Sequence, residues 1–380
     1  MATTGEPMDA PKDWRGILQH LGPGLIITAC IVGSGELIAT PVAGAKNGFG
    51  LLWFIVIGCI VKVFVQVELG RAAVIQGKTT LELLDSVPGP RFIVSWVVWC
   101  FVLMFIGVFF QLGGIVGSVG QVFEQGGISL EGQALPVLLL SLSIVSWASV
   151  RFGLFKKEST AWLVLSIGLI AFLIAPSNWF GTDKSIALVV ASLTVAILAS
   201  GQYRHVERFS IAMVVLFVCS TFYALYALQT ATGEIAQYAI TWENIAEGLR
   251  FQMPSNIEVA FGAFGIIGVG ASELIYYPYW CLEKGYSKYV GPNNKSDMWY
   301  SRARGWLRIL RVDAWISMVI YASATVVFFL LGAALLHGAK KDVSNSTMIG
   351  DLSYLFGAMG SNGLTIFLIG AFVVLFSTLV

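Results

Sequence analysis

Long apolar stretches separated by short polar connections organise this chain. A polar tail over 1–21 leads through Gly22-Pro23-Gly24 into an apolar run over about 25–45, followed by a second over about 48–70. A polar connection with Lys78 and Pro88-Gly89-Pro90 precedes a run over about 92–123, dotted with Gly113, Gly114, Gly117, Ser118 and Gly120. Two runs over about 134–150 and 160–175 are divided by Arg151, Lys156 and Lys157; two more, about 186–200 and 209–228, are divided by the polar turn 202–208. After a polar connection over 229–256, the last runs cover about 257–282, 314–336 and 364–380. Some twenty apolar residues cross the hydrocarbon layer as a helix, the one open-chain form that satisfies its own backbone there. The pattern predicts an all-α polytopic membrane protein with about ten membrane runs.

The polar connections orient the runs. With the amino terminus inside, most of the 23 Lys and Arg fall in inside segments, above all Lys284, Lys288, Lys295, Arg302, Arg304, Arg308 and Arg311. Outside lie Lys46, Lys184, Arg250, Lys340 and Lys341, and Lys62 falls within a run. The positive-inside rule therefore predicts a cytoplasmic amino terminus; a plasma or inner membrane is the expected location.

One motif occurs twice. Val32-Gly33-Ser34-Gly35-Glu36-Leu37-Ile38-Ala39-Thr40-Pro41 returns as Val269-Gly270-Ala271-Ser272-Glu273-Leu274-Ile275-Tyr276-Tyr277-Pro278. Val, Leu and Ile match cheaply in an apolar chain; Gly, Glu and Pro in register do not. Each copy puts a carboxylate inside an apolar run, at a cost of about 3 kcal/mol on insertion scales, which makes it a candidate functional group. Gly and Ser beside it give up about 0.5–1 kcal/mol of helix stability each relative to Ala, so Gly33-Ser34-Gly35 and 268–272 are expected helix breaks. The run order places the two copies on oppositely directed runs. That is the mark of an inverted repeat, in which solute binds at paired helix breaks near mid-bilayer.

Composition narrows the reading further. The chain is 57% hydrophobic and 12% charged, against about 25% charged in soluble domains. A net charge of +1 without a basic run gives no sign of a nucleic-acid partner. The five cysteines lie in apolar runs without CxxC spacing, which suits neither a disulfide framework nor a zinc site. The polar, acid-containing start is not expected to be a cleaved signal peptide. No nucleophile–base set, HExxH or phosphate loop is present, so neither an enzyme nor a bound cofactor is expected.

Gly22-Pro23-Gly24, the break at Gly33 to Glu36, Ala43-Gly44-Ala45, Leu51-Leu52-Trp53, Tyr203-Arg204 with Glu207, and Leu331-Gly332-Ala333-Ala334-Leu335-Leu336 together resemble the Nramp family of divalent-metal transporters. The resemblance implies a leucine-transporter-like fold. The family's Asp-Pro-Gly-Asn and Met-Pro-His positions read here as Gly33-Ser34-Gly35-Glu36 and Ala271-Ser272-Glu273. It further implies one transporter domain over 22–380. The first repeat covers about 22–228 with an inserted hairpin over about 134–178. The second, about 257–380, is expected to be incomplete.

The motifs offer oxygen: Glu36, Glu273, Ser34 and Ser272, with backbone groups freed near Gly33 and Gly270. Such donors suit a hard divalent cation. The expected function is a secondary transporter that moves Mg²⁺ or Mn²⁺ as substrate across the lipid bilayer by alternating access, with protons as the candidate coupling ion. Alternatively the carboxylates only hydrogen-bond broken helix ends, or a carrier of the same fold takes a small organic cation or amino acid. Lys62 admits two readings: a charge-balancing cation for the empty site, or a residue that snorkels or pairs with Glu68. Asp313 and Glu258 read as charges at span ends, and Tyr276, Tyr277 and Trp280 as interfacial belt.

Overall fold

A computed structural model describes residues 7–128, 141, 143–144, 182–200, 203–254, 256–344 and 347–379. The inserted hairpin expected over about 134–178 lies almost wholly outside the described residues.

The described chain is helical apart from a two-residue antiparallel ribbon, β1 (Arg91–Phe92) with β2 (Val94–Ser95). It divides into two units. The first contains Met1–Val108 and Thr241–Leu330. It opens with α1 (Trp14–His20) and α2 (Pro23–Ile31), followed after a wide π-turn (Gly35–Ala39) by α3 (Thr40–Asn47). Next come α4 (Leu52–Gln76), α5 (Thr80–Asp85), the ribbon and the start of α6 (Trp96–Gln125). The second unit contains Phe109–Ile240 and Leu331–Val380, with α7 (Thr182–Ser200) and α8 (Tyr203–Gln229). The first unit resumes with α9 (Trp242–Gly248), α10 (Ile257–Ile266), α11 (Ala271–Glu283), α12 (Tyr286–Val290) and α13 (Asp297–Leu331). A π-turn (Gly332–His337), α14 (Met348–Ser353) and α15 (Gly363–Leu379) complete the second unit.

By length and composition, five described helical stretches are able to cross a membrane: Gly35–Gln76, Trp96–Gln125, Ile257–Glu283, Asp297–His337 and Met348–Leu379. A sixth arises if Val214–Gln229 and Gly233–Gly248, bent by 101°, count as one span. The expected count of about ten is thus not reached among the described residues. Two expected connections are also helical. Tyr203 to Arg208 open α8, and Arg302 to Arg311 form the early turns of α13. Charged residues start these helices because a turn in the headgroup layer costs little.

Within the first unit, the two motif-bearing spans are each interrupted and lie side by side. α2 packs on α11, and α3 packs on α10. The leading half of one span therefore meets the trailing half of the other, so the two run antiparallel with their breaks adjacent. α4 lies alongside the second span and runs in its direction: Gly58 faces Phe264, and Gly70 faces Tyr277.

In the second unit α8 packs on α15, and Phe217 stacks on Phe356, in the segment before α15, at 5.7 Å. A Cβ at Gly370 would overlap the Phe217 ring, so glycine is what lets α15 come this close.

Candidate functional site

The first break follows from its sequence. Val32 ends α2 and the Gly33 N–H turns back to the Ile31 carbonyl at 2.6 Å. The chain then winds through the π-turn that contains Glu36. The second break runs over 267–270, where Gly268 has φ +68°. That left-handed conformation strains any residue with a Cβ, which leaves the position to glycine.

Glu36 reaches from the first break to the second. It is 1% exposed, and its Oε1 accepts from the Gly268 N–H at 2.9 Å and the Thr325 hydroxyl at 2.7 Å. Its Oε2 accepts from the Thr40 hydroxyl at 2.7 Å. Lys62, 6% exposed, donates to the Ile267 carbonyl at 2.6 Å and lies over the Phe264 ring at 5.0 Å from its centroid. The Ile267 carbonyl and the Gly268 N–H belong to one peptide group. A carboxylate therefore holds its positive end and an ammonium its negative end. Buried charges are tolerated when paired and hydrogen-bonded, and this arrangement supplies both conditions through one backbone dipole.

Glu273 sits differently. It is half-buried in the first turn of α11, where Ser272 Oγ donates to its Oε2 at 2.9 Å. Its carboxylate folds back over Gly270, the N-cap residue, where any Cβ would overlap it. Ser34 is buried, and Gly33 forms the first turn as described. The Lys62 ammonium interacts electrostatically with both Glu36 and Glu273. Among the described residues no three His, Cys, Asp or Glu side chains converge as a metal centre.

Three sequence expectations need correction. Lys62 does not pair with Glu68, which binds Arg71 at 2.7 Å instead. Asp313 is no cheap charge at a span end: it is 1% exposed, a full four turns into α13. It accepts from the Gly22 N–H at 3.0 Å, the Gly24 N–H at 2.6 Å and the Tyr277 hydroxyl at 3.2 Å. It thereby caps α2, whose start has no side-chain cap of its own. A Cβ at Gly24 would stand 2.7 Å from both the Asp313 backbone and its carboxylate, which explains the glycine there. Tyr277, expected in the interfacial belt, is fully buried by this contact. Asp313 follows a basic stretch with the polar pattern of a connection, so the sequence carries no sign of its burial.

Gln66 also lies deeper than a packing residue requires. It is fully buried, and neither end of its amide has a hydrogen-bond partner among the described residues. One turn beyond Lys62 on α4, it stands between the levels of Ile267 and Tyr277.

Comparison with known proteins gives the relationship. Over 86 residues, 23% of this chain, it is 33% identical to the metal transporter Nramp6.2 of Populus trichocarpa. It is similar to Nramp metal transporters. The metal transporter Nramp5 of Oryza sativa subsp. japonica matches at 31% over 80 residues, 21% of this chain. The divalent metal cation transporter MntH of Acidiphilium cryptum (strain JF-5) matches at 26% over 105 residues, 27% of this chain. These matches span 15%, 15% and 24% of the relatives' own lengths. No family model matches this Nramp-like chain. Among solved structures, a histidine-to-alanine variant of the Eremococcus coleocola manganese transporter aligns with 99% of this chain and 66% of its own, at 15% identity and a TM-score of 0.48.

Proposed function

We propose that the protein is a secondary transporter of a divalent metal cation, Mg²⁺ or Mn²⁺, which it moves by alternating access with protons as coupling ion. The observation that carries this reading is the peptide Ile267–Gly268, held by Glu36 and Lys62 at two adjacent, antiparallel helix breaks. A carbonyl freed by unwinding is a natural cation ligand, and here an ammonium occupies it. A cation that replaces Lys62 on this carbonyl would have Glu36 at the far end of the same peptide, with Glu273, Ser34 and Ser272 on the same breaks. Gly33 and Gly270 permit the bends. The names of the similar proteins, metal and divalent metal cation transporters, support the substrate class. The basic connections support an N-in orientation, and the proposed location is a plasma or inner membrane.

Flux into proteoliposomes tests this directly, with Mg²⁺ and Mn²⁺ at set pH gradients. Uptake of either ion, lost in Glu36→Gln, supports the proposal; absence of divalent uptake under every gradient overturns it.

A second reading has its own observation. The Lys62 ammonium already rests between an aromatic face and a carbonyl, so the pocket suits a small organic ammonium or amino acid as well. Calorimetry with primary amines against Mg²⁺ and Mn²⁺ separates the two.

A further inference from the structure

An open cavity of about 570 Å³ lies in the first unit, lined by no residue of either helix break. Three parts of the chain meet there: the end of α4 with the turn after it, α12 with the turn after it, and Pro7 of the amino-terminal tail. The tail is pinned in place. The Met8 N–H donates to the Tyr289 carbonyl at 3.0 Å, and Trp306 Nε1 donates to the Met8 carbonyl at 2.9 Å. Trp299 Nε1 holds the opposite wall through the Gly291 carbonyl at 3.0 Å.

The polar side chains in the lining are Gln76, Lys78, Ser287, Lys288 and Asn293. Two are cations, both exposed, and none is an acid. Glu82, one turn beyond Lys78, is engaged by Thr79, whose N–H and hydroxyl donate to it at 2.7 and 2.9 Å. A third cation stands behind the wall. Gly291 has φ +78°, and a Cβ there would lie 3.0 Å from Pro7 and 3.8 Å from the Arg302 guanidinium. Arg302 Nε is shut off from solvent without a hydrogen-bond partner, and Arg302 makes no ion pair among the described residues. Buried donors on charged groups normally find an acceptor, so the positive charge behind this wall is uncompensated.

We infer that this cavity binds a phosphate group, either free or on a lipid headgroup, between Lys78 and Lys288. Ser287 and Asn293 supply neutral donors beside the two ammonium groups, and Arg302 adds charge from behind Gly291. Charge-assisted hydrogen bonds to phosphate are about twice as strong as neutral ones. In the N-in orientation proposed above, the cavity opens on the cytoplasmic side, where basic pockets meet anionic headgroups. A phosphate held here ties the tail and the end of α4 to α12. Because α12 follows α11 directly, the bound group also restrains the helix that carries the second motif.

The test uses the full chain in lipid nanodiscs. In discs of phosphatidylcholine alone, inorganic phosphate and pyrophosphate are titrated by calorimetry. A second set of discs contains phosphatidic acid, and hydrogen exchange over 286–291 is followed in both sets. Lys78→Gln combined with Lys288→Gln is expected to weaken binding about tenfold or more and to cancel the added protection. Arg304→Gln combined with Arg308→Gln removes two exposed charges that line no part of the cavity, and should change binding by no more than about twofold. Binding of the soluble ions in neutral discs assigns the site to free phosphate; protection only with phosphatidic acid assigns it to a headgroup. No binding or protection from either source, or equal losses in the two double variants, would overturn the site.

Discussion

Glu36 and Lys62 hold opposite ends of one peptide group, the carboxylate on the Gly268 N–H at 2.9 Å and the ammonium on the Ile267 carbonyl at 2.6 Å. Each charge is balanced through a backbone dipole rather than by direct contact. On the transport reading, a substrate cation and Lys62 would compete for the same carbonyl.

Every described bond to the Glu36 side chain is one that it accepts, from Thr40, Thr325 and Gly268. Glu36→Gln must turn an NH₂ toward one of these donors. The expected cost is about 2 kcal/mol of stability, together with loss of divalent binding. Thr325→Val removes a single donor and should cost about 1 kcal/mol, with binding retained. Thermal unfolding and calorimetry on both variants check the contrast; equal effects would deny Glu36 a role beyond the bonds it accepts.

Lys62→Met keeps the packing of α4 and removes the competing ammonium. Divalent affinity should rise about tenfold at neutral pH. In the wild type, binding should strengthen as pH rises, because fewer protons compete for the site; in the variant this dependence should flatten. Mg²⁺ and Mn²⁺ titrations at several pH values measure both, and a variant that binds more weakly than the parent would contradict the competition.

Asp313 ties the start of α2 to α13 through the Gly22 and Gly24 N–H groups. Asp313→Asn weakens the cap, with an expected loss of about 1–2 kcal/mol. Backbone amides over 22–26 should exchange with solvent faster while those of α4 stay protected. Uniform acceleration across the protein would mean that Asp313 supports the whole fold rather than this helix end.

Asp85 lies outside the spans, at the end of α5, where its carboxylate reaches the ribbon. The Ser95 N–H, and then Arg91, hold its carboxyl below the usual carboxylate range. A carboxyl depressed by folding stabilises the folded state above its unfolded value, and that contribution is lost as pH falls through the depressed value. Protection of the Ser95 amide should therefore persist at neutral pH and fade in acid. In Asp85→Asn it should be low and independent of pH, which hydrogen exchange reads directly.

The helical membrane class, the two breaks and the pairing of the repeats are legible in the amino-acid order alone. Apolar runs, glycine placement and a motif in register are local properties that survive without coordinates. That order also marks Glu36, Glu273 and Lys62, because a charge inside an apolar run stands out wherever the run ends up. What these residues touch is fixed by packing between distant helices. The two carboxylates of the repeated motif look equivalent in sequence, yet Glu36 is buried on the opposite break while Glu273 folds over its own helix start. Symmetry in sequence does not extend to contacts, because α4 lies along one break and supplies Lys62 to that peptide. Asp313 is illegible for the same reason: a lone acid after a basic stretch acquires its role only from Gly22 and Gly24, hundreds of residues away, brought beside it by helix packing.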